Sequence, residues 1–328
     1  MTNGVAGAGA HRPITVTIIT LTIDTSSFVF EAIDSVEHNH EIPFEHIVVH
    51  DGQDAFIDDL VARYPHLKIV KGDGRGATAA AARGIEAASG DFILLLHSDD
   101  RLRPGSLTQL AACAAARPDV QIWTGGMRTF LTRPDGVEEI LRVARTPALT
   151  KLSLANICDD LPLLTARFCH RSVYDRIGNF DVEFSESSDR EFLLRAVMAG
   201  IIEAPLGVMV SDLRQHPDSR TLNKRTDWVP PYLVEHIRIA DLWLARPDIA
   251  PTVRRYLKNW RAREVLRLVV FHTRAGQWRS ALDLMLHAST TDALWIFRTA
   301  TTVASILRRR RNDKDLPEQP GTSSETHA

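Results

Sequence analysis

Short apolar segments alternate with amphipathic segments through the first part of the chain. All residues from 14 to 20 are β-branched, which suits a buried parallel strand because such side chains pack well on a pleated surface. Apolar segments recur at residues 44–50, 67–71 and 92–96, and helix-compatible segments separate them at residues 26–36, 55–64 and 77–88. This spacing predicts βαβ units in an open, mostly parallel sheet, which binds ligands outside the carboxyl ends of its strands.

The pattern changes in the middle of the chain and again past residue 226. A helix is predicted at residues 105–117, between two prolines, and two extended segments at residues 122–131 and 137–144 flank an Arg-Pro-Asp-Gly turn. These two segments predict antiparallel strands and therefore a mixed sheet. Helical periodicity then dominates at residues 234–245, 251–271, 278–288 and 293–307.

The predicted fold class is α/β, with a Rossmann-like mixed sheet flanked by helices and an α-helical C-terminal region. We expect a disordered N-terminus at residues 1–12, an α/β domain at 13–225, the helical region at 226–311 and a polar, disordered tail at 312–328.

Composition limits the classes of function. The formal net charge of −2 over 328 residues comes from nearly balanced acids and bases, so it does not favour a nucleic-acid partner. Three scattered cysteines are too few for a disulfide framework or a zinc site with paired ligands. No signal-peptide pattern is present, and no apolar run reaches the roughly 18 to 20 residues that span a bilayer. We therefore expect a cytoplasmic protein.

Asp99 and Asp100 form the most specific local feature, because they end the apolar strand at residues 92–96 abruptly. Carboxylates at the carboxyl end of a central strand stand in the ligand crevice, where their oxygens can hold a divalent cation. The alternative is that the two residues only end the strand and cap the next helix.

Two further carboxylates are candidates for the same crevice. Asp51, before Gly52, follows the strand at residues 44–50 and can accept a hydrogen bond from a base or ribose, although Asp-Gly is also an ordinary turn. Asp189 lies in the first turn of a predicted helix that Ser187 or Ser188 can cap, and capping alone is the competing interpretation. Glu191 is two residues from Asp189, so at most one of the two acids reaches a substrate.

His216 and Arg214 form a candidate pair for metal or phosphate contact, since they follow the strand-like residues 206–210. A rival interpretation starts from the loop at residues 72–77, which matches G-x-G-x-x-A between a strand and a helix. That pattern is the fingerprint of NAD- or FAD-binding oxidoreductases. The loop follows the third strand rather than the first, which disfavours that interpretation.

Taken together, these motifs resemble glycosyltransferase family 2, whose members have the GT-A fold. The resemblance covers residues 14–219. The motifs occur in the family's order: an opening strand, Asp51-Gly52, Gly90-Asp91 before an apolar strand, Ser98-Asp99-Asp100, residues 176–181 resembling Gly-Gly-Phe-Asp, and residues 188–195 resembling Glu-Asp-x-Asp-Leu-x-x-Arg.

The resemblance implies an inverting transferase that uses a UDP- or GDP-linked sugar donor and a divalent cation, Mn²⁺ or Mg²⁺. It implies a glycan or lipid-linked acceptor, in cell-surface polysaccharide or glycolipid biosynthesis. Asp189 would be the general base that deprotonates the acceptor hydroxyl.

The resemblance also assigns the donor site. Residues implied to contact the nucleotide sugar are Thr20, Asp51, Asp99 and Arg214. Residues implied to hold the metal are Asp99, Asp100 and His216.

His97 departs from the family pattern, because it stands where the first carboxylate of Asp-x-Asp is usual. This departure keeps a second alternative open: a catalytically silent homologue that binds a nucleotide sugar without turnover.

Residues 293–311 raise the question of a membrane. Trp295 and Phe297 give a predicted helix an aromatic end, and residues 308–311 give it a basic end. Such a helix can lie on the anionic inner face of a cell membrane. Alternatively, the aromatic side chains pack on the preceding helices and the arginines are solvated.

Overall fold

The structure is a computed structural model that describes residues 13–23, 27–52, 55–144, 151–159, 164–216 and 231–299. The chain divides into two compact units, Met1–Arg225 and Thr226–Ala328. The predicted disordered ends, residues 1–12 and 312–328, lie outside the described residues.

The first unit contains strands and helices in alternation. Its strands are β1 (Val16–Thr22), β2 (Phe44–His50), β3 (Lys68–Lys71), β4 (Phe92–His97), β5 (Arg101–Leu102), β6 (Ile122–Thr132), β7 (Glu138–Ala144), β8 (Arg167–His170) and β9 (Glu203–Gln215). Its helices are α1 (Ser27–Glu37), α2 (Ala55–Arg63), α3 (Ala77–Ala87), α4 (Ser106–Ala116), α5 (Leu154–Asp159), α6 (Arg171–Ile177) and α7 (Ser188–Met198).

The described strands form one sheet, in the order β3-β2-β1-β4-β8-β6-β9-β5, with β7 paired to β6. β1 to β4 run parallel to one another, β8 is antiparallel to both β4 and β6, and β9 is parallel to β6. The predicted α/β class with a mixed sheet is confirmed. The predicted antiparallel pair is β6 with β7.

β1 is the centre of the parallel half, and all seven of its residues are buried. Helix α3 packs closely on it because the contact face of that helix is made of small residues. A Cβ atom on Gly84 would lie 2.5 Å from Cγ2 of Ile19, so only glycine permits this approach. The close packing places the start of α3 at the carboxyl edge of the parallel strands.

The second unit consists of α8 (Pro231–Leu244), α9 (Pro251–Arg274) and α10 (Trp278–Thr291), as the periodicity predicts. Glu264 lies inside this unit with only 1% of its surface exposed. Its carboxylate accepts hydrogen bonds from Arg263 (3.0 Å) and Arg267 (2.7 Å), and it lies 3.4 Å from Nδ1 of His236. Burial raises the pKa of Glu264, but these partners outweigh it and lower the pKa to about 2.

The predicted helix at residues 293–307 is described only as far as residue 299, and residues 295–299 are helical. Trp295 packs in the core of the second unit, whereas the side chain of Phe297 is exposed. The basic residues 308–311 lie outside the described part of the chain. None of the described helices has the length and apolarity that a bilayer span requires.

Glu264→Gln should destabilise the protein by about 3 kcal/mol or more at pH 7, because it removes the carboxylate that the buried His236 and Arg263 share with the more exposed Arg267. The pKa of Glu264 is lower in the folded than in the unfolded state, so its contribution is present above about pH 4.5 and is lost as the pH falls through about 2. Urea unfolding of both proteins across this pH range tests this. Asp283→Asn, on the exposed face of α10, is the control, and an equal effect of both substitutions would contradict the expectation.

Candidate functional site

The candidate site lies where the parallel strands end. β1, β2, β3 and β4 share one direction, so their carboxyl ends lie along the same edge of the sheet. Asp51 directly follows β2, the glycine-rich loop at residues 72–76 follows β3, and residues 98–100 follow β4. The sheet thus places the three loops singled out in the sequence beside one another.

Asp99 and His216 come together at this edge, although 117 positions separate them in the chain. Oδ2 of Asp99 lies 3.0 Å from Nε2 of His216. Both side chains are partly accessible to solvent, at 30% and 21%. The Phe28 ring packs against the imidazole, with 5.4 Å between centroids. A carboxylate and an imidazole are therefore held side by side and within reach of a ligand.

Asp100 has a different environment from Asp99. It is buried, and its Oδ1 accepts a hydrogen bond from the backbone N–H of Arg214 at 3.0 Å. Burial, and then the charge of Asp99, raise the pKa of Asp100 well above its ordinary value. Through this hydrogen bond Asp100 connects the turn after β4 to β9.

Arg214 is buried at the junction of four elements. Its side chain is 3% exposed and lies between two aromatic rings, 4.3 Å from the Phe28 centroid and 4.8 Å from that of Phe130. The guanidinium donates to Glu31, to the Thr132 hydroxyl at 3.0 Å and to the carbonyl of Asp99 at 3.2 Å.

The sequence analysis expects Arg214 to contact the nucleotide sugar. In this structure its guanidinium is in contact with the two rings and is hydrogen-bonded to protein groups. We propose that these contacts hold the Asp99 turn in place.

Thr20 is a further residue that the sequence analysis expects to contact the nucleotide sugar. It is fully buried in β1, and its hydroxyl is hydrogen-bonded with Nε2 of His46 at 2.9 Å. Because this group faces the interior rather than the crevice, we leave Thr20 out of the proposed site.

Asp51 organises the glycine-rich loop. Its Oδ1 accepts from the N–H of Gly74 at 2.6 Å, and its Oδ2 accepts from that of Gly76 at 3.1 Å. A Cβ atom on Gly72 would lie 2.1 Å from Oδ1 of Asp51, so this approach requires glycine. Each carboxylate oxygen has a second lone pair, so Asp51 can still accept a hydrogen bond from a ligand.

The same contacts argue against the dinucleotide-binding interpretation. In that fingerprint the N–H groups of the loop face a pyrophosphate. Here the N–H groups of Gly74 and Gly76 donate to the Asp51 carboxylate instead. The preceding strand, β3, is moreover at the edge of the sheet, while the fingerprint belongs to a central strand.

Asp189 lies in the first turn of α7 and is half-buried. The start of α7 is tied to the start of α3, because the Thr78 hydroxyl donates to Oγ of Ser188 at 3.0 Å and to the carbonyl of Phe184 at 3.2 Å. This contact places Asp189 near the edge that carries the Asp51 loop. Ser187 is the N-cap residue, but its hydroxyl makes no capping bond, which corrects the predicted side-chain cap.

Glu191 points elsewhere. It is buried, and it pairs with Arg195 one turn later, at 2.7 to 2.9 Å. Arg195 in turn donates to the carbonyls of Gly178 and Asn179. The Glu191–Arg195 pair therefore supports the loop before α7, and Asp189 is the acid of the two that remains a candidate for catalysis.

The donor chemistry of the site fits a divalent cation in part. No three His, Cys, Asp or Glu side chains within the described ranges are grouped to hold a metal ion. The adjacent Asp99 and His216 supply two ligands of types that Mn²⁺ accepts. Ions bound with a nucleotide commonly take only one or two protein carboxylates, and phosphate oxygens and water complete the coordination.

Sequence reasoning did not find the groups that support the site: Phe28, Glu31, Phe130 and Thr132. They lie on α1 and β6, and each is an ordinary helix or strand residue in its local sequence. Only their contacts with Arg214 identify them.

Comparisons with known proteins agree with the geometry. Residues 17–152 match the family model for glycosyl transferase family 2. The chain is 28% identical over 192 residues to the uncharacterized glycosyltransferase Rv1514c of Mycobacterium tuberculosis, which is 56% of this chain and 69% of that protein. It is also 26% identical over 111 residues to EpsH of Bacillus subtilis, a protein named as a glycosyltransferase, and that match spans 32% of EpsH.

Solved structures show the same fold. TarS 1-349 of S. aureus, in complex with UDP, has a TM-score of 0.59 at 16% identity, over 95% of each chain. The mannosyltransferase PcManGT of Pyrobaculum calidifontis, in complex with GDP-Man and Mn²⁺, has a TM-score of 0.52 at 17% identity, over 92% of this chain and 83% of that one. The fold of this chain is therefore GT-A.

Arg214→Lys should lower the free energy of unfolding by about 2 kcal/mol, because lysine cannot reproduce the stacked, multiply bonded guanidinium and leaves buried acceptors unsatisfied. Urea denaturation measures this. Arg63→Lys is a matched control, since Arg63 also stacks on a phenylalanine (4.6 Å from the Phe30 centroid) but is 52% exposed. We expect the control to lower the free energy of unfolding by less than about 0.5 kcal/mol. Similar losses in both variants would contradict the proposal that the buried Arg214 guanidinium holds the Asp99 turn in place.

Proposed function

We propose that this chain is a family 2 glycosyltransferase that moves a sugar from a nucleotide-diphosphate sugar to an acceptor hydroxyl. The observation that carries the proposal is the Asp99–His216 pair, which lies at the carboxyl edge of a GT-A sheet. The family match over residues 17–152 includes β4 and the Asp99 turn. Two structural neighbours are complexes with UDP and with GDP-Man, which supports a UDP- or GDP-linked donor.

In this proposal the donor lies over the ends of β2 and β4. Asp51 accepts a hydrogen bond from the nucleoside, and it keeps the loop at residues 72–76 folded beneath it. Asp99 and His216 face the diphosphate. Asp100 and Arg214 hold the turn that presents Asp99.

Asp99 and His216 are also the residues that would hold a divalent cation, Mn²⁺ or Mg²⁺. The Mn²⁺ complex of PcManGT supports this part of the proposal. A bound cation would offset the negative charge that builds up on the departing diphosphate. Asp100, the third ligand expected from the sequence, is buried and engaged by β9, so we assign it to the support of the site.

Asp189 is the proposed general base. It removes the proton of the acceptor hydroxyl, whose oxygen attacks C1 of the sugar from the face opposite the nucleotide. The new C1–O bond forms as the bond between C1 and the diphosphate oxygen breaks, so the nucleoside diphosphate leaves with the electron pair and the configuration at C1 inverts. The position of Asp189 beside the start of α3, on the same sheet edge as Asp51, supports this role.

The acceptor class follows from the resemblance to family 2. We propose a glycan or lipid-linked acceptor, in the biosynthesis of a cell-surface polysaccharide or glycolipid, with the enzyme in the cytoplasm or peripheral at the inner face of the membrane.

Calorimetric titration with UDP and GDP, with and without Mn²⁺, tests the donor site. We expect one nucleotide to bind in the presence of Mn²⁺, and we expect Asp99→Asn and His216→Ala each to weaken that binding about tenfold or more. Asp59→Asn, on the exposed face of α2, is the control for a lost carboxylate and should bind like the parent. Failure to bind either nucleotide, together with tight binding of NAD or FAD, would reject the proposal.

Asp189→Asn separates chemistry from binding. We expect nucleotide affinity to stay at the parent value, while the release of UDP or GDP in the presence of acceptor falls by about 10²- to 10⁴-fold. Asp175→Asn, on the exposed side of α6, should leave turnover unchanged. If the parent binds nucleotide but turns over no sugar across a panel of donors and acceptors, the silent-homologue alternative replaces the catalytic proposal.

A further inference from the structure

The helical unit contains a cavity of about 290 Å³ that the proposed transferase site does not use. It is bounded by α8, by α9 and by the residues that follow α10. All of its lining residues belong to this unit.

One face of α9 supplies the cavity with basic side chains. Arg254, Lys258 and Arg261 all line it, and their spacing of four and three residues places them on the same side of the helix. Arg261 is 3% exposed, and its one hydrogen bond to the residues that the structure describes runs from Nε to Asp241 at 2.5 Å. The rest of this buried guanidinium therefore has donors to offer to a group in the cavity.

The lining carboxylates do not balance these cations. Asp241 pairs with Arg261, and Asp292 pairs with Arg298 at 2.6 Å. Among the described residues, Arg254 donates only to backbone carbonyls, at 2.6 and 2.8 Å, and Lys258 forms no ion pair. The charges of Arg254 and Lys258 are thus left without a described carboxylate partner, which favours an anionic ligand such as a phosphate ester.

Apolar side chains also line the cavity: Trp295, which is 3% exposed, with Leu244, Ala245 and Ala262. The indole is fixed by a hydrogen bond from its N–H to Oγ of Ser289 at 3.0 Å. A cavity lined by both basic and rigid apolar side chains suits a ligand with an anionic head and a small organic body.

We propose that this cavity is a binding site for a phosphate monoester or diester, with the phosphate between Lys258 and Arg261 and the organic group against Trp295. The site is separate from the donor site and does not require the transferase proposal to be correct. The phosphate can come from a small soluble ester or from a lipid headgroup, which share this chemistry.

Titration of the full chain with glycerol 3-phosphate, and flotation with phosphatidylglycerol or phosphatidylcholine vesicles, test the proposal. We expect saturable binding of glycerol 3-phosphate if the source is soluble, or binding to phosphatidylglycerol alone if it is a headgroup. Lys258→Ala should weaken whichever binding occurs about tenfold, the effect of one charge-assisted hydrogen bond.

Arg255→Ala is the matched control, because Arg255 is the neighbouring exposed cation of α9 and does not line the cavity. It should bind like the parent. Equal weakening by Lys258→Ala and Arg255→Ala would show attraction by overall charge and would overturn the proposal. So would the absence of binding in both assays. Lys258 is not in the protein core, so loss of folding is not expected to obscure the result, and thermal unfolding of each variant checks this.

Discussion

The buried guanidinium of Arg214 is the interaction on which the candidate site depends. A charge removed from water is costly unless hydrogen bonds and partners replace the lost hydration. Here α1, β6 and the turn after β4 provide the acceptors, and two phenylalanine rings pack against the guanidinium. Satisfying this one group therefore fixes several elements against one another, and Asp99 and His216 meet as a result.

Asp51 likewise holds a loop in place at the carboxyl edge of the sheet, next to β2 and β3. A carboxylate that accepts two loop amides converts a glycine-rich segment, which has wide conformational freedom, into a defined turn. The site is thus built on strand ends whose loops are held by buried or half-buried charges. Such support keeps ligand-binding groups in place before the ligand arrives.

The helical unit uses charge in two ways. Glu264 is buried together with His236 and Arg263, it also pairs with the more exposed Arg267, and its contact with His236 joins α9 to α8. The cavity beside Trp295 differs, because its cations exceed its carboxylates among the described residues. In the Glu264 network the opposite charges balance one another, which stabilises the fold. In the cavity the excess positive charge can be balanced by an anionic ligand.

The sequence by itself did not predict the short elements β5, β8, α5 and α6. It determined the alternation of the longer strands and helices, the β6–β7 pair that indicates a mixed sheet, and the three loops at the carboxyl edge. It did so because periodicity and strand-end position are local properties of the chain. Tertiary structure alone decided which polar groups face the crevice. Thr20, Asp100 and Arg214 read as site residues in the sequence, yet their side chains turn to partners distant in the chain. Hydrogen bonds across 26 to 114 positions leave no local signal, so burial and partner choice could not be derived from the pattern.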